Sequence, residues 1–383
     1  MPSTTTQSTT TQIIEQTSGV LDIVNGANGF LRASEFLPSP HDMAVPAARI
    51  RQYGLRKGDF VEGSPGLADI ERVNGRPADA VALRARPQFA HLTPLHPRER
   101  LRLETTPAGL ATRLVDLVAP VGKGQRGLIV APPKTGKTVI LQKLADAIAD
   151  NHPECHLMVV LLDERPEEVT DMRRSVRGEV LASTFDRPPA QHIALAELAI
   201  ERAKRLVELG EDVVVLLDSL TRLCRAYNNN AGAKGGSKSS GRTLSGGVDA
   251  AALIGPKKLF GTARLAEEGG SLTILATALV DTGSRADDYF FEELKSTGNM
   301  ELRLDRTLAD QRIFPAVDVT PSGTRREELL LPPSELAAVR GLRRALQERD
   351  TRATLEVLLD RMKQTPSNAA FLRQLRETLP RSA

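Results

Sequence analysis

The 383-residue sequence has no tryptophan, three tyrosines and ten phenylalanines, so aromatic residues make up only 3% of it. A chain so poor in rings has few platforms on which flat ligands can stack, and each ring inside a motif gains weight. Cysteine is equally scarce. Cys155 and Cys224 stand alone, without the paired spacing that holds zinc or staples a small secreted fold. Both read as buried, reduced thiols. No apolar run approaches the roughly 18 residues that would mark a membrane span, and the N-terminus has no hydrophobic signal region. A cytoplasmic chain without membrane association is therefore expected. There is also little excess of one charge: 51 basic against 48 acidic residues give a net +3, so only local clusters can mark a polyanionic partner. What is present is ordinary globular material, 40% hydrophobic and 26% charged, at a length that allows two or three domains.

Composition shifts divide the chain. Residues 1–18 are rich in Ser, Thr and Gln and almost uncharged, the mark of a disordered tail. Over residues 19–90, short alternating runs (Gly19 to Val24, Asp59 to Glu62, Ala80 to Leu83) are punctuated by Asn25-Gly26, Gly54 and Gly75. This predicts a small antiparallel β-barrel. Residues 91–111, with Thr93-Pro94-Leu95-His96-Pro97, read as a linker. From 112 to 383 the pattern changes to near-continuous apolar runs at Gly127–Val130, Leu157–Leu162, Val213–Leu217 and Leu272–Ala276, each followed by a helix-like segment. Buried parallel strands alternating with helices produce that pattern, so an α/β domain with a parallel sheet is expected. The last fifty residues read as helical from Pro333 onward, with Ser334 as a candidate cap. No internal repeat is visible.

The strongest chemical signal is Ala131-Pro132-Pro133-Lys134-Thr135-Gly136-Lys137-Thr138, which lies between the strand-like Gly127–Val130 and the helical Val139–Ala149. Strand, loop and helix in that order are the context of a P-loop. Gly136 lets the backbone turn its N–H groups toward phosphate, Lys137 reaches the β- and γ-phosphates, and Thr138 offers a hydroxyl to Mg2+. The helix adds the positive end of its dipole. Ala131 stands where the usual first glycine would be. Two carboxylate strands support the assignment. Val213 to Asp218 is an apolar strand ending in the acid that holds the Mg2+ shell. Leu162-Asp163-Glu164-Arg165 places Glu164 where it could orient and deprotonate an attacking water. The motif thus predicts ATP and Mg2+ as ligands.

Further segments carry a family resemblance: Gly124-Gln125-Arg126 leading into the P-loop, Asp163 to Thr170, Asp218-Ser219-Leu220-Thr221-Arg222, Leu244 to Asp249, Thr277 to Ser284, Gly298-Asn299-Met300-Glu301-Leu302 and Ser322 to Glu328. In this order and spacing, over roughly residues 19 to 375, the chain closely resembles the family of bacterial transcription termination factors Rho. The Ala-Pro-Pro-Lys form of the loop separates it from rotary ATPase subunits and recombinases. The resemblance implies a RecA-like P-loop domain behind an OB or cold-shock-like RNA-binding domain. It implies a homohexameric ring with ATP between subunits, 5′-to-3′ movement on single-stranded RNA, and release of RNA from RNA polymerase. By motif, Pro133, Lys134, Thr135, Gly136, Lys137 and Thr138 hold phosphate, and Thr138 and Asp218 hold Mg2+. Glu164 resembles the catalytic base and Arg165 the arginine that gauges the nucleotide. Arg325 resembles the finger reaching a neighbour's γ-phosphate, with Arg312 assisting. Phe314 matches the aromatic on adenine, with Val139 opposite it.

Two loops resemble the family's RNA track. One runs from Asn228 to Gly247, holding Lys234, Lys238, Arg242 and Thr243 among Gly and Ser; the other holds Gly283, Ser284 and Arg285. Flexible polar loops with cations suit a phosphate backbone. In the N-terminal domain Phe30 and Arg32 match family RNA contacts, but Asn28, Ala44 and the segment Ala78-Asp79-Ala80 stand where further aromatics are usual. Each lost stacking contact is worth about 1–3 kcal/mol, so weaker capture is expected unless Arg49, Arg51, Arg56 and Lys57 compensate by charge. The resemblance also places an inhibitor pocket, that of bicyclomycin, at Asp163, Arg165, Ser219, Lys295 and Ser296. Ser296 replaces the usual glycine, which is expected to crowd the drug. On the same resemblance, the polar tail is expected to stand in place of the family's N-terminal helical subdomain. Two alternatives stay open beside the motor: an ATP- and RNA-binding regulatory paralogue without motor activity, and a rotary-ATPase subunit.

Overall fold

The computed structural model describes residues 17–24, 28–32, 35–232, 244–346 and 350–378. They fall into two compact units, residues 1–86 and 87–383. The first is a six-stranded antiparallel sheet in which Met43–Val45, Asn28–Arg32, Thr17–Val24, Phe60–Gly63, Ile70–Val73 and Arg76–Pro77 lie side by side in that order. Alternation puts Leu21, Leu31, Val61 and Val73 on one face, and a register shift in the pairing of Phe60–Gly63 with Ile70–Val73 brings Ile70 there too; they pack with Val45, Leu55, Leu67 and Leu83 into a single core. Of the expected tail, Thr17 and Ser18 open the first strand; the residues before them lie outside the described set.

The expected strand at Ala80–Leu83 is instead a helix, Ala80–Ala85. The Asp79 carboxylate accepts the N–H groups of Val81 and Ala82, which fixes a helix start. The apolar residues then need bury only Leu83, while Val81 stays exposed. The segment 91–111 lies within the second unit. There Leu101 and Leu103 are fully buried in the core, and Pro94–Leu95 pairs with Arg264–Ala266 at the margin of the main sheet. Its prolines and arginines gave it the look of a spacer.

That sheet has nine strands. Its spatial order is Glu179–Thr184, His156–Glu164, Asp212–Asp218, Ser271–Leu279, Arg126–Ala131, Met300–Leu304 and Val317–Thr324. The first six are mutually parallel; the last is antiparallel to its neighbour. Helices Lys137–Asn151, Pro166–Ser175, Pro189–Val207 and Leu220–Gly232 follow four of the parallel strands. Because those strands run the same way, their carboxyl ends share one edge, the usual place for a ligand in an open α/β sheet. Among the described residues no helix is long and apolar enough to cross a membrane. Cys224 is buried and Cys155 half-buried, both unpaired; burial pushes the Cys155 thiol up to about 12.

The C-terminal helices Pro333–Leu346, Thr351–Lys363 and Asn368–Thr378 share the core of the sheet through Val339, Leu355, Met362 and Phe371. The first begins at Pro333, so Ser334 sits inside its opening turn rather than capping it. Arg113 anchors this region. Fully buried, it donates to the carbonyls of Pro107, Met362 and Thr365 at 3.0, 3.0 and 2.9 Å and to the Thr365 hydroxyl at 2.9 Å. Replacing it by Met would take a charged donor from all of these groups and leave the buried Thr365 carbonyl unsupported, while the Met362 carbonyl would keep the Thr365 N–H and hydroxyl. Arg113→Met is expected to cost about 3 kcal/mol or more, read as a lower urea midpoint at unchanged slope; a change below about 1 kcal/mol would contradict this role.

Candidate functional site

The sequence Pro132 to Thr138 forms the turn between the strand Arg126–Ala131 and the helix Lys137–Asn151. Gly136 lies at φ +87°, a conformation that side-chain-bearing residues rarely adopt. The Thr135 hydroxyl donates to the Pro132 carbonyl at 2.8 Å and locks the loop from inside. Lys134, at φ +63°, is exposed beside Pro133. Arg306, which the sequence did not single out, donates to the Pro133 carbonyl at 2.5 Å and ties the loop to the helix Arg306–Asp310.

Two strands and the helix after the loop contribute charge at this edge. The Lys137 ammonium lies 2.6 Å from Asp218 Oδ1 and 3.1 Å from Glu164 Oε1. The strand Ser271–Leu279 runs between the loop strand and that of Asp218, and Lys137 reaches past it. From that intervening strand Thr277 donates to Asp218 Oδ1 at 2.8 Å. Glu164 and Asp218 are both almost wholly buried, a costly placement for carboxylates unless charged partners hold them. The second partner of Glu164 is Arg222, whose guanidinium lies 3.2 Å from Oε2 and also bonds the Asp163 carbonyl. Arg222 closes a quoted motif, yet nothing local signals that its helix turns it toward Glu164. Thr138 donates to Glu168 at 3.4 Å; burial, then the nearby Glu164, pushes the Glu168 carboxyl above its ordinary range. Arg165 is exposed, 3.8 Å from Glu168.

Phe314 lies against the loop, since a Cβ on Gly136 would stand 3.7 Å from its ring. Phe314 and Val139 are 50% and 56% exposed, apolar surface left beside a phosphate-type loop. Arg312 is exposed at a positive-φ turn just before it.

Arg325 is elsewhere. Its N–H donates to the Asn299 carbonyl at 2.9 Å, and Asn299 pairs with Arg126, the first residue of the loop strand. Six residues at about 3.3 Å each put Arg325 roughly 20 Å from its own loop. The expected inhibitor residues separate in the same way. Asp163 and Arg165 line an open cleft of about 650 Å³ with Phe185, Arg222 and Arg225, and Ser219 is buried, accepting the Arg222 N–H at 3.1 Å. Lys295 and Ser296 instead end the helix that leads to Thr297, whose carbonyl is bonded by Arg126. One chain does not bring these five together.

Of the expected track, Arg242, Thr243, Lys234 and Lys238 lie outside the described residues. The end of that loop, Ser245–Gly247, does meet the other loop: a Cβ on Gly246 would stand 2.8 Å from the Ala286 N and the Arg285 C. Ser284 caps the helix Arg285–Lys295 through Asp287 N–H, and Thr282 donates to the Asp287 carboxylate at 2.6 Å. Asp287 is buried and paired with Arg225. Gly283 and Arg285 are exposed.

In the first unit Phe30 is half-buried and faces Ala44 across the strand pair. Arg32 differs from expectation. It is buried between Asp22 and Asp42, and its guanidinium lies 5.5 Å from the Phe30 ring centroid. Its charge is neutralised inside the fold, so it can support the ring rather than meet phosphate. Lys57 likewise bonds Asp22 at 3.1 Å, whereas Arg51 is exposed.

Two family patterns match: the ATP synthase alpha/beta family, nucleotide-binding domain, over residues 111–324, and the Rho termination factor, RNA-binding domain, over residues 17–79. The chain is 69% identical to the transcription termination factor Rho of Streptomyces coelicolor, covering 95% of this chain and 86% of that one. It is 60% identical to that of Streptomyces lividans, covering 95% of this chain and 52% of the relative, about half its length. Among solved structures, an ATPase of the type III secretion system of pathogenic bacteria superposes with a TM-score of 0.61 at 20% identity, covering 75% and 86% of the two chains. That likeness is one of fold, a RecA-like nucleotide-binding domain, and the antiparallel first unit is consistent with an OB fold. The identity over nearly the whole length decides the rest: the chain belongs to the transcription termination factor Rho family.

Proposed function

We propose that this chain is an RNA-dependent ATPase that moves 5′ to 3′ along single-stranded RNA as a ring of six copies and releases the transcript from RNA polymerase. The observation that carries the reading is the convergence of Lys137, Glu164 and Asp218, from three elements, within 3.1 Å at one sheet edge. Lys137 is held by the two carboxylates, and a triphosphate would offer it a stronger anionic partner. Glu164 then orients the attacking water and takes its proton, with Arg222 steadying the carboxylate. The Thr138 hydroxyl and the Asp218 carboxylate suit Mg2+, a hard cation usually held by one or two protein oxygens together with phosphate and water. When bound, it neutralises phosphate charge. Phe314 and Val139 offer adenine an apolar seat with exposed Arg312 just before Phe314, and Arg165 stands exposed beside Glu168. Arg325, too far from its own loop, acts on the next subunit's γ-phosphate.

RNA would follow the loops at Ser245–Gly247 and Gly283–Arg285, which meet where Gly246 packs on the Arg285 backbone. The first unit would capture RNA by Phe30 and exposed cations such as Arg51. The poverty of rings on that face, with Ala44 opposite Phe30, favours a second reading, a regulatory paralogue. ATP turnover with and without poly(C) RNA separates the two. The motor requires stimulation by RNA; turnover that RNA does not change, or its absence, would sink it. The bicyclomycin pocket, on this reading, needs Lys295 and Ser296 from an adjacent subunit. Ser296→Gly is expected to strengthen bicyclomycin inhibition of the ATPase, and unchanged inhibition would remove Ser296 from that pocket.

A further inference from the structure

Asn299 makes more directed contacts than a residue of its size needs for packing. Its N–H donates to the Arg126 carbonyl at 2.9 Å. Its side-chain oxygen accepts the Arg126 N–H at 2.9 Å and the Gln125 amide at 2.6 Å. Its carbonyl accepts the Arg325 N–H at 2.9 Å and the Gln125 amide at 3.3 Å. One residue therefore clamps the backbone of Arg325 to the first residue of the strand that, at its other end, becomes the phosphate loop. The Arg126 side chain adds a second element. Arg126 is half-buried, and its guanidinium donates to the carbonyls of Thr297 and Ala263, both at 3.0 Å. Burial, then Arg264 and Arg325, lowers its basicity. A partly desolvated cation behind Arg325 repels its head group toward solvent, where it is found exposed.

We propose that Asn299 is a positioning residue for ATP hydrolysis: its clamp, with Arg126 behind it, aims Arg325 outward at the neighbouring subunit and joins that finger rigidly to its own subunit's phosphate loop. This rests on Arg325 acting in trans. Mutual reach explains why the contact is made by a side-chain amide. The backbone carbonyl that holds Arg325 is common to every residue; what the Asn299 side-chain oxygen adds is a grip on the Arg126 N–H and the Gln125 amide that fixes where this carbonyl stands, which an apolar residue could not supply.

The test is RNA-stimulated ATP turnover of assembled Asn299→Ala, Arg325→Ala and the double variant, with Asn299→Ser beside them to guard against a folding defect. Asn299→Ala is expected to lower kcat by about tenfold or more, with KM for ATP changed by less than about twofold. The double variant should be no slower than Arg325→Ala. Rings mixed from Asn299→Ala and Glu164→Gln subunits should exceed the sum of their parents, since good fingers then meet good sites. An unchanged kcat in both Asn299 variants, additive losses, or no gain on mixing overturns the proposal. If Arg325→Ala itself keeps full kcat, it is the trans finger that fails, and with it this inference; loss in Arg325→Ala alone refutes Asn299 only.

Discussion

Arg325→Ala is expected to reduce RNA-stimulated ATP turnover by about 10³-fold or more while leaving ATP binding nearly intact. The magnitude is that of fingers supplied to phosphoryl transfer in trans. The selectivity follows from position. Arg325 is anchored at the starting end of the strand Arg126–Ala131, whereas the phosphate loop follows its far end, so removing the side chain touches nothing that holds nucleotide in the same subunit. Substrate in the ground state loses one distant cation; the transition state loses the charge that meets its equatorial oxygens. The measurement is kcat under saturating RNA beside a direct titration of a fluorescent ATP analogue. Loss of affinity matching loss of rate would mean that Arg325 binds ground-state nucleotide.

Glu164→Gln should cost about 10²–10⁴ in kcat with the fold unchanged. Glutamine keeps the shape and can still meet Arg222 or Lys137, but it cannot take a proton. Lys137 retains Asp218 at 2.6 Å, and Arg222 retains the Asp163 carbonyl, so no buried cation is stranded. With one carboxylate fewer to compete for Lys137, ATP should bind equally or more tightly. Single-turnover hydrolysis and binding on the same sample read the two effects apart. Turnover within about threefold of the parent, against the cost expected of a general base, would show that another group deprotonates the water.

Much of the second unit was legible because its strands are buried on both faces, which forces continuous apolar runs that only a parallel sheet explains. The loop at Pro132–Thr138 was legible because its chemistry is local in sequence. What stayed hidden was set by partners far along the chain. Arg222 meets the Asp163 carbonyl across 59 residues, and Asn299 meets Arg126 across 173; neither contact leaves a mark on the intervening spacing. Arg32 beside Phe30 had the pattern of an RNA contact until the fold brought Asp22 and Asp42 to it. At Ala80–Leu83 four apolar residues fit either period, and a single capping carboxylate, Asp79, decided for helix. Lys295 and Ser296 show the remaining limit: they end a helix near Arg126, at the opposite edge of the sheet from Asp163, Arg165 and Ser219, a separation that no local spacing reveals.

Hydrolysis at the Lys137–Glu164–Asp218 edge is expected to drive directional movement along RNA. The direct measurement is ATP-dependent displacement of a DNA strand annealed to RNA carrying a single-stranded tail. Displacement with a 5′ tail, none with a 3′ tail, and none for Glu164→Gln is the predicted result; ATP turnover without displacement from either substrate would contradict it.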